Sequence, residues 1–292
     1  MMSLKIKKRN GEDAAFNPQK IYNRIKKASK GLNVNSDEIF IKVITSVPVE
    51  GEITTKELDK LVYEIAAAYT GSHHDYSRLA ASVAISSYHK ETNSSFSETM
   101  SELFDSGILN EKLIEMINNY GPTKIDEVIN HDNDYNFDYF AWRSLQEMYL
   151  LKLPNGKSIE RPQHMYMRVA LWVTKSFQEA VEYYKSLSEQ LISPATPIMI
   201  NSGTKIPQLA SCVLHFNNED SRTGLLETIK DISTYSADAA GIGLCMSNIR
   251  SKETRISSSG GFAGGLLKYL KIVNESLRFF NQQGRRIRVL KN

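Results

Sequence analysis

The sequence predicts a mainly α-helical chain that changes to alternating strand and helix near its end. Three observations carry this. A hairpin signal opens the chain, helical spacing with capping residues recurs from residue 17 to 191, and after Ser193 short apolar runs alternate with helical stretches. At 292 residues the length prior is about two domains, and 41% hydrophobic with 24% charged residues is a soluble globular profile. No apolar run approaches the roughly 18 to 20 residues that a membrane span needs. The lysine-rich N-terminus lacks the apolar block of a signal peptide, so a cytoplasmic location without a membrane partner is expected. Two cysteines make neither a disulfide framework nor a paired-cysteine zinc pattern, so no metal is expected on this chain. A net charge of +3 is too small for a nucleic-acid footprint. The local clusters at 5–9, 24–30 and 285–291 suit the phosphates of small ligands better.

Residues 5–16 read as a hairpin, with Leu4, Ile6 and Lys8 alternating and Asn10-Gly11 at the turn. Helix follows at once: Asn17 caps it, Pro18 suits its first position, Ile21, Ile25 and Ala28 form a stripe, and Gly31 closes it. Lysines in its last turns complement the negative helix end. A second helix is expected from Ser36 to before Pro48. A third starts at Thr54, where Glu57 completes a capping box. Its apolar face is Leu58, Leu61, Val62, Ile65 and Tyr69. A fourth runs over about 75–90 on Leu79, Ala80 and Val83. The polar stretch 91–97 sets a boundary, giving domains at 1–92, 93–192 and 193–292.

The middle domain reads as helical, interrupted at Gly121-Pro122 and by a small hairpin at 153–157, with its clearest helices at 161–176 and 178–191. After Ser193 come a strand over 207–216 and a helix over 223–240 on Leu225, Ile229, Ile232 and Ala239. A strand over 241–246 follows, then a helix over 265–280 on Leu266, Leu270, Val273, Leu277 and Phe280. This βαβα order predicts parallel strands joined by crossover helices, a sheet buried on both faces and the start of a larger domain.

Lys8, the segment 14–20, Thr55 and Lys90 can meet at one end of the first unit, where helix-start amides and ammonium groups hold an anion. Solvated lysines on a small bundle are the other reading. The stretches Ile6-Lys7-Lys8-Arg9-Asn10-Gly11, Phe16-Asn17-Pro18-Gln19-Lys20-Ile21 and Ile53-Thr54-Thr55-Lys56-Glu57-Leu58 resemble an ATP-cone, the nucleotide-sensing module of ribonucleotide reductases, over residues 4–92. The resemblance implies a β-hairpin plus four-helix bundle. By position it makes Lys8, Ala14, Ala15, Phe16, Asn17, Pro18, Gln19, Lys20, Thr55 and Lys90 the contacts for ATP or dATP as allosteric effectors.

Further on, Pro194-Ala195-Thr196-Pro197-Ile198-Met199, Ser211-Cys212-Val213-Leu214, Ala240-Gly241-Ile242-Gly243 and Asn281-Gln282-Gln283-Gly284-Arg285-Arg286 stand in the order found in the large (alpha) subunit of class I ribonucleotide reductase. The segments Asn136-Phe137-Asp138-Tyr139-Phe140 and Tyr149-Leu150-Leu151-Lys152 resemble that family's helical domain. Over residues 4–286 the likeness implies an N-terminal portion: ATP-cone, helical domain, then the first strands and helices of a ten-stranded α/β barrel.

From the residues alone Cys212 is either a reactive thiol or an inert core residue beside Ala210, Leu214 and Phe216. The family resemblance implies redox catalysis by Cys212, which reduces the ribose 2′ position and pairs with a second cysteine later in the family sequence. It also implies Thr196, Ser211, Cys212 and Gly241 as contacts to a ribonucleoside diphosphate. Asp220, Ser221, Arg222 and Arg250 resemble the site for a deoxynucleoside triphosphate (dNTP) effector that selects the base. The loop 251–260 lacks the family's Gly-Ser near its start, and a flexible surface loop is its competing reading. Cys245 matches no family cysteine with a role and reads as core.

After Arg286 the sequence departs from the family pattern, so the expectation is an enzyme active only with a complementary C-terminal large-subunit chain. The other implied partners are a radical-generating small subunit carrying the radical cofactor, thioredoxin or glutaredoxin acting through the partner chain, and a second large subunit in a dimer. The alternative function is a stand-alone ATP/dATP-sensing regulatory protein without catalysis.

Overall fold

The computed structural model describes residues 4–206, 208–217, 219–237, 240–257 and 259–280. The Asn281 to Arg286 motif, the 285–291 basic cluster, Pro207 and Ala239 lie outside the described residues. The chain divides into two compact units, Met1–Leu191 and Ile192–Asn292.

In the first unit, β1 (Lys5–Lys7) pairs antiparallel with β2 (Asp13–Ala15). The connection is longer than the two-residue turn expected. Gly11 N–H donates to the Lys8 carbonyl at 3.0 Å, Gly11 takes φ +85°, and Lys8 N–H reaches the Glu12 carbonyl. That is a three-residue hairpin loop closed by a left-handed glycine. Helix α1 (Pro18–Ala28) follows, with the Asn17 side chain accepting from Gln19 N–H, and α2 (Ser36–Ser46) is capped by Asn35 in the same way. A third strand, β3 (Glu52–Thr54), runs parallel to β1 and gives the sheet order β2-β1-β3. The sequence pattern predicts only a helix start here.

Helix α3 (Thr55–Ala68) begins with the predicted capping box: Thr54 Oγ1 accepts from Glu57 N–H, and Glu57 Oε2 accepts from Thr54 N–H at 2.8 Å. Thr54→Ala removes both the acceptor and the anchor for Glu57. The expected cost is about 1 kcal/mol, read as a lower urea midpoint at unchanged slope. The core of this region is Ile25, Ile39, Val43, Val62, Ala66 and Leu79, all essentially without exposed surface.

Helix α4 (Asp75–His89) is buried on more sides than its predicted stripe, since Ala81, Ala84, Ile85 and Tyr88 are covered as well. One side meets the sheet-bearing region. The other meets the helix Tyr139–Ser144, where the Tyr88 ring stands edge-on to Trp142 at 5.1 Å. The polar stretch after α4 is therefore a short link inside one compact unit. Beyond it come α5 (Phe96–Asp105), α6 (Glu111–Tyr120), α7 (Pro122–Asp126) and α8 (Tyr139–Ser144), then a π-helical turn, the expected small hairpin, α9 (Pro162–Val173) and α10 (Phe177–Ser188). Gly121 at φ +94° breaks α6 from α7.

The second unit contains α11 (Thr196–Asn201), β4 (Cys212–Phe216), α12 (Arg222–Ala237), β5 (Gly241–Cys245) and α13 (Leu266–Phe279). Strands β4 and β5 are parallel, with Cys212 opposite Gly241 and Phe216 opposite Cys245. The expected crossover order is present, but the expected burial on both faces is not. Leu214 is 80% and Phe216 61% exposed, because α12 and α13 cover only the opposite face. On α13 the buried line is Tyr269 and Val273, with Leu277 packed beside them, whereas Leu266, Leu270 and Phe280 of the predicted stripe are exposed.

Candidate functional site

The first cleft, about 460 Å³, opens at the sheet end of the first unit. Its wall is drawn from β1, β2, the start of α1, the start of α3 and the end of α4. Lys8, Ala14, Ala15, Phe16, Asn17, Lys20, Thr55 and Lys90 of the sequence-predicted residues line it. Pro18 and Gln19 do not: Pro18 opens the helix, and Gln19 turns along it to donate to Asn23 at 2.9 Å. The residues missed were Arg9, Arg24 and Asp59, with Ile6, Ile21 and Leu58 as an apolar floor. A signal existed. Arg24 stands four residues after Lys20 and Asp59 four after Thr55, the spacing that places side chains on one helix face.

Five cations and one carboxylate line this cleft, which decides its preference for anions. Asp59 is nearly buried and is shared by Arg9 Nη2 at 3.0 Å and Arg24 Nε at 2.7 Å. The Arg24 contact is an ion pair by distance, without N–H alignment on the oxygen. Arg9 is also held by Ser87 Oγ at 2.7 Å. Burial lowers the Lys90 pKa below the usual lysine range, and the neighbouring Arg24 adds to the effect. Burial likewise lowers that of Arg24, with Asp59 opposing. Both groups thus stand in a place where positive charge is under-compensated, and a multiply charged anion relieves that. The amides of the first turn of α1 add their own attraction.

The second cleft, about 510 Å³, lies in the second unit and is lined by Asp220, Ser221, Arg222 and Arg250, all predicted, together with Ile256, Ser257, Ser259 and Lys268. Asp220 Oδ2 accepts from Arg250 N–H at 3.1 Å and from its Nε at 2.5 Å, so Arg250 is fixed by the carboxylate. Ser221 Oγ accepts from Gly224 N–H at the start of α12. Gly224 has to be glycine: a Cβ there would lie 2.5 Å from the Glu219 carbonyl oxygen. The loop after Arg250 is folded onto the cleft by Ile256 N–H to the Gly261 carbonyl at 2.8 Å and Ala263 N–H to the Thr254 carbonyl at 2.9 Å.

The third feature is Cys212, an exposed free thiol at the start of β4. Gly241 N–H donates to the Ser211 carbonyl at 2.7 Å, and a Cβ on Gly241 would stand 3.6 Å from Cys212 Sγ. Ser211, Cys212 and Gly241 therefore form one patch, while Thr196 sits half-buried in the first turn of α11. The core reading of Cys212 fails, because its strand face is the open one. Cys245 is also not core. It is partly exposed, its Sγ lies 3.2 Å from Ser247 Oγ, and that hydrogen bond lowers its thiol pKa.

Three family models match the chain: the ATP cone domain over residues 4–91, the ribonucleotide reductase all-alpha domain over 135–207 and the ribonucleotide reductase barrel domain over 210–288. By these matches the chain belongs to the ribonucleotide reductases. Within that class it corresponds to the N-terminal portion of the large subunit. It is similar to the ribonucleoside-diphosphate reductase large subunit of monkeypox virus, 39% identical over 290 residues that cover 95% of this chain and 37% of the relative. The large subunits of Arabidopsis thaliana, 35% identical over 96% of this chain and 35% of the relative, and Danio rerio, 37% over 96% and 36%, are also similar. The chain spans little more than a third of the length of these relatives.

Proposed function

We propose that this chain forms the N-terminal part of a ribonucleoside-diphosphate reductase large subunit, with Cys212 as one of its two reducing thiols. The observation that carries this is the exposed Cys212 thiol beside Gly241, where a missing side chain leaves room for a ribose. In the proposed reaction the C2′–OH bond becomes C2′–H and the hydroxyl leaves as water. Cys212 and a second cysteine supply two electrons and two protons and end as a disulfide. A radical delivered from the small subunit removes and later returns the 3′ hydrogen. Ser211, Gly241 and Thr196 are the proposed substrate contacts. The division into 1–92, 93–192 and 193–292 is the proposed functional one.

The first cleft is the proposed ATP/dATP site: Lys8, Lys20 and Lys90 meet the phosphates, and Ile6, Ile21 and Leu58 offer apolar surface to the base. The second cleft is the proposed dNTP site, with Arg222 and the α12 amides on the phosphates and Arg250 held in place by Asp220. Association of two large subunits is supported by the apolar residues that α13 leaves exposed, Leu267 at 76% and Phe279 at 76% among them. Thioredoxin or glutaredoxin would regenerate the thiols. Among the described residues no helix is long and apolar enough to cross a membrane, and a cytoplasmic location is proposed.

The reduction also needs the part of the enzyme that lies beyond the matched third of the relatives. Mixing this chain with that part and a small subunit is expected to give reduction of cytidine diphosphate. No turnover in a correctly assembled mixture would leave the regulatory reading instead. Independently, ATP and dATP should bind this chain in a calorimeter. Lys90→Ala should weaken binding about 10- to 100-fold, the range for one lost charge-assisted contact; unchanged affinity would remove Lys90 from the site.

A further inference from the structure

A group of histidine and aspartate side chains that neither the nucleotide clefts nor Cys212 uses gathers where α4 ends. His89 lies on the last turn of α4, His131 and Asp134 on the 3-10 turn His131–Asn136, and His164 in the first turn of α9. One ligand-competent atom from each of His89, His131 and Asp134 lies within 4.8 Å of the others. Asp134 has no exposed surface. Its Oδ1 accepts from Gln163 Nε2 at 3.0 Å, and its Oδ2 is 2.7 Å from His89 Nε2. Gln163 is itself fixed, because its Oε1 accepts from Tyr184 Oη at 2.9 Å and Ser188 Oγ at 2.6 Å.

The two remaining imidazoles settle their own tautomers. His131 and His164 stand edge-on at 5.0 Å, and both bring Nε2 to the Ser94 carbonyl, at 2.9 and 3.3 Å. A carbonyl oxygen only accepts, so each Nε2 carries the hydrogen and each Nδ1 a lone pair. Both Nδ1 atoms are buried without a hydrogen-bond partner, and His164 is completely covered. A carbonyl on one ring nitrogen with a lone pair on the other is the outer support that metal-ligating histidines receive.

We propose that His89, His131 and Asp134 bind a divalent transition cation of the zinc class. Two imidazole nitrogens and a carboxylate oxygen, without sulfur, form the donor set such ions take. His164 adjoins His131 edge-on with the same unmet Nδ1. Ligation through His89 Nε2 displaces the hydrogen it shares with Asp134 Oδ2, and a neutral imidazole keeps that proton by carrying it on Nδ1. His89 and His131 are partly exposed and give the ion a way in. Arg161 also faces the group and opposes a cation. Its guanidinium is held by the carbonyls of His89 and Thr92, at 2.9 and 2.7 Å. The absence of a paired-cysteine pattern does not bear on this site, because its ligands are not cysteines.

The test is equilibrium dialysis of the full chain against micromolar Zn2+, with metal analysis, and titration with Co2+. One ion per chain is expected, with a cobalt spectrum that lacks thiolate-to-metal bands. His131→Gln should weaken binding at least 100-fold. His73→Gln, in the separate group His73, His74 and Asp75, should leave it unchanged. Histidine ring NMR of the wild type gives the same answer without a variant: Zn2+ should shift His89 and His131 and spare His73 and His74. A folded wild type that retains no zinc would overturn the proposal. So would a site that follows His73, or one that shows thiolate bands.

Discussion

Cys212→Ser is expected to lower cytidine diphosphate reduction in the assembled enzyme by on the order of 10³-fold or more, the scale of losing a group that acts as part of a catalytic unit. The substitution is nearly isosteric, and the site is open, so no packing is lost. Cys212, Leu214 and Phe216 share the uncovered face of β4. A hydroxyl in place of the thiol can still hydrogen-bond but cannot give up electrons to form a disulfide. Nucleotide binding in the first cleft, which belongs to the other compact unit, should be unchanged, and calorimetry would show it. Turnover that survives the substitution would sink the redox role.

Arg168→Met should destabilise the first unit by about 3 to 5 kcal/mol, the usual result of removing one partner from a buried ion pair. Arg168 and Glu160 both have no exposed surface, with Nε to Oε1 at 2.6 Å and Nη2 to Oε2 at 3.1 Å. Glu160 does more than pair. Its Oε2 also accepts from Leu151 N–H at 2.8 Å, and its carbonyl accepts from Tyr88 Oη at 2.7 Å. The variant therefore leaves a buried carboxylate with one backbone amide as compensation. At about 2 to 4 °C per kcal/mol for a unit of this size, the melting temperature should fall by roughly 6 to 20 °C. A shift within 2 °C in calorimetry would mean that the pair contributes little.

Elements marked by local chemistry were legible in the sequence. Asn17-Pro18 and Thr54 with Glu57 fixed two helix starts to the residue, because capping depends on neighbours within one turn. Strand β3 was not legible, since three residues ending on a cap carry no alternation and its partner β1 lies over 40 positions away. The same distance hid Asp59 between Arg9 and Arg24, although helical spacing from Thr55 offered a hint. Cys245 was misread because a strand segment with half-buried residues looks like a core strand when burial is inferred from apolar content alone. The histidine group was invisible for a related reason: its members come from a helix end, a 3-10 turn and another helix start.

The turn after α4 joins several of these parts. Lys90 lines the first cleft, Glu91 accepts from Lys56 at 2.7 Å, and Arg161 of the helical region grips the carbonyls of His89 and Thr92. Four consecutive residues thus answer both to an anion in the cleft and to the helices behind it. By thermodynamic reciprocity, whatever distinguishes two positions of this turn changes anion affinity by the same factor that the anion changes the balance between those positions. Nucleotide occupancy and the set of the α4 terminus are then two measurements of one free energy.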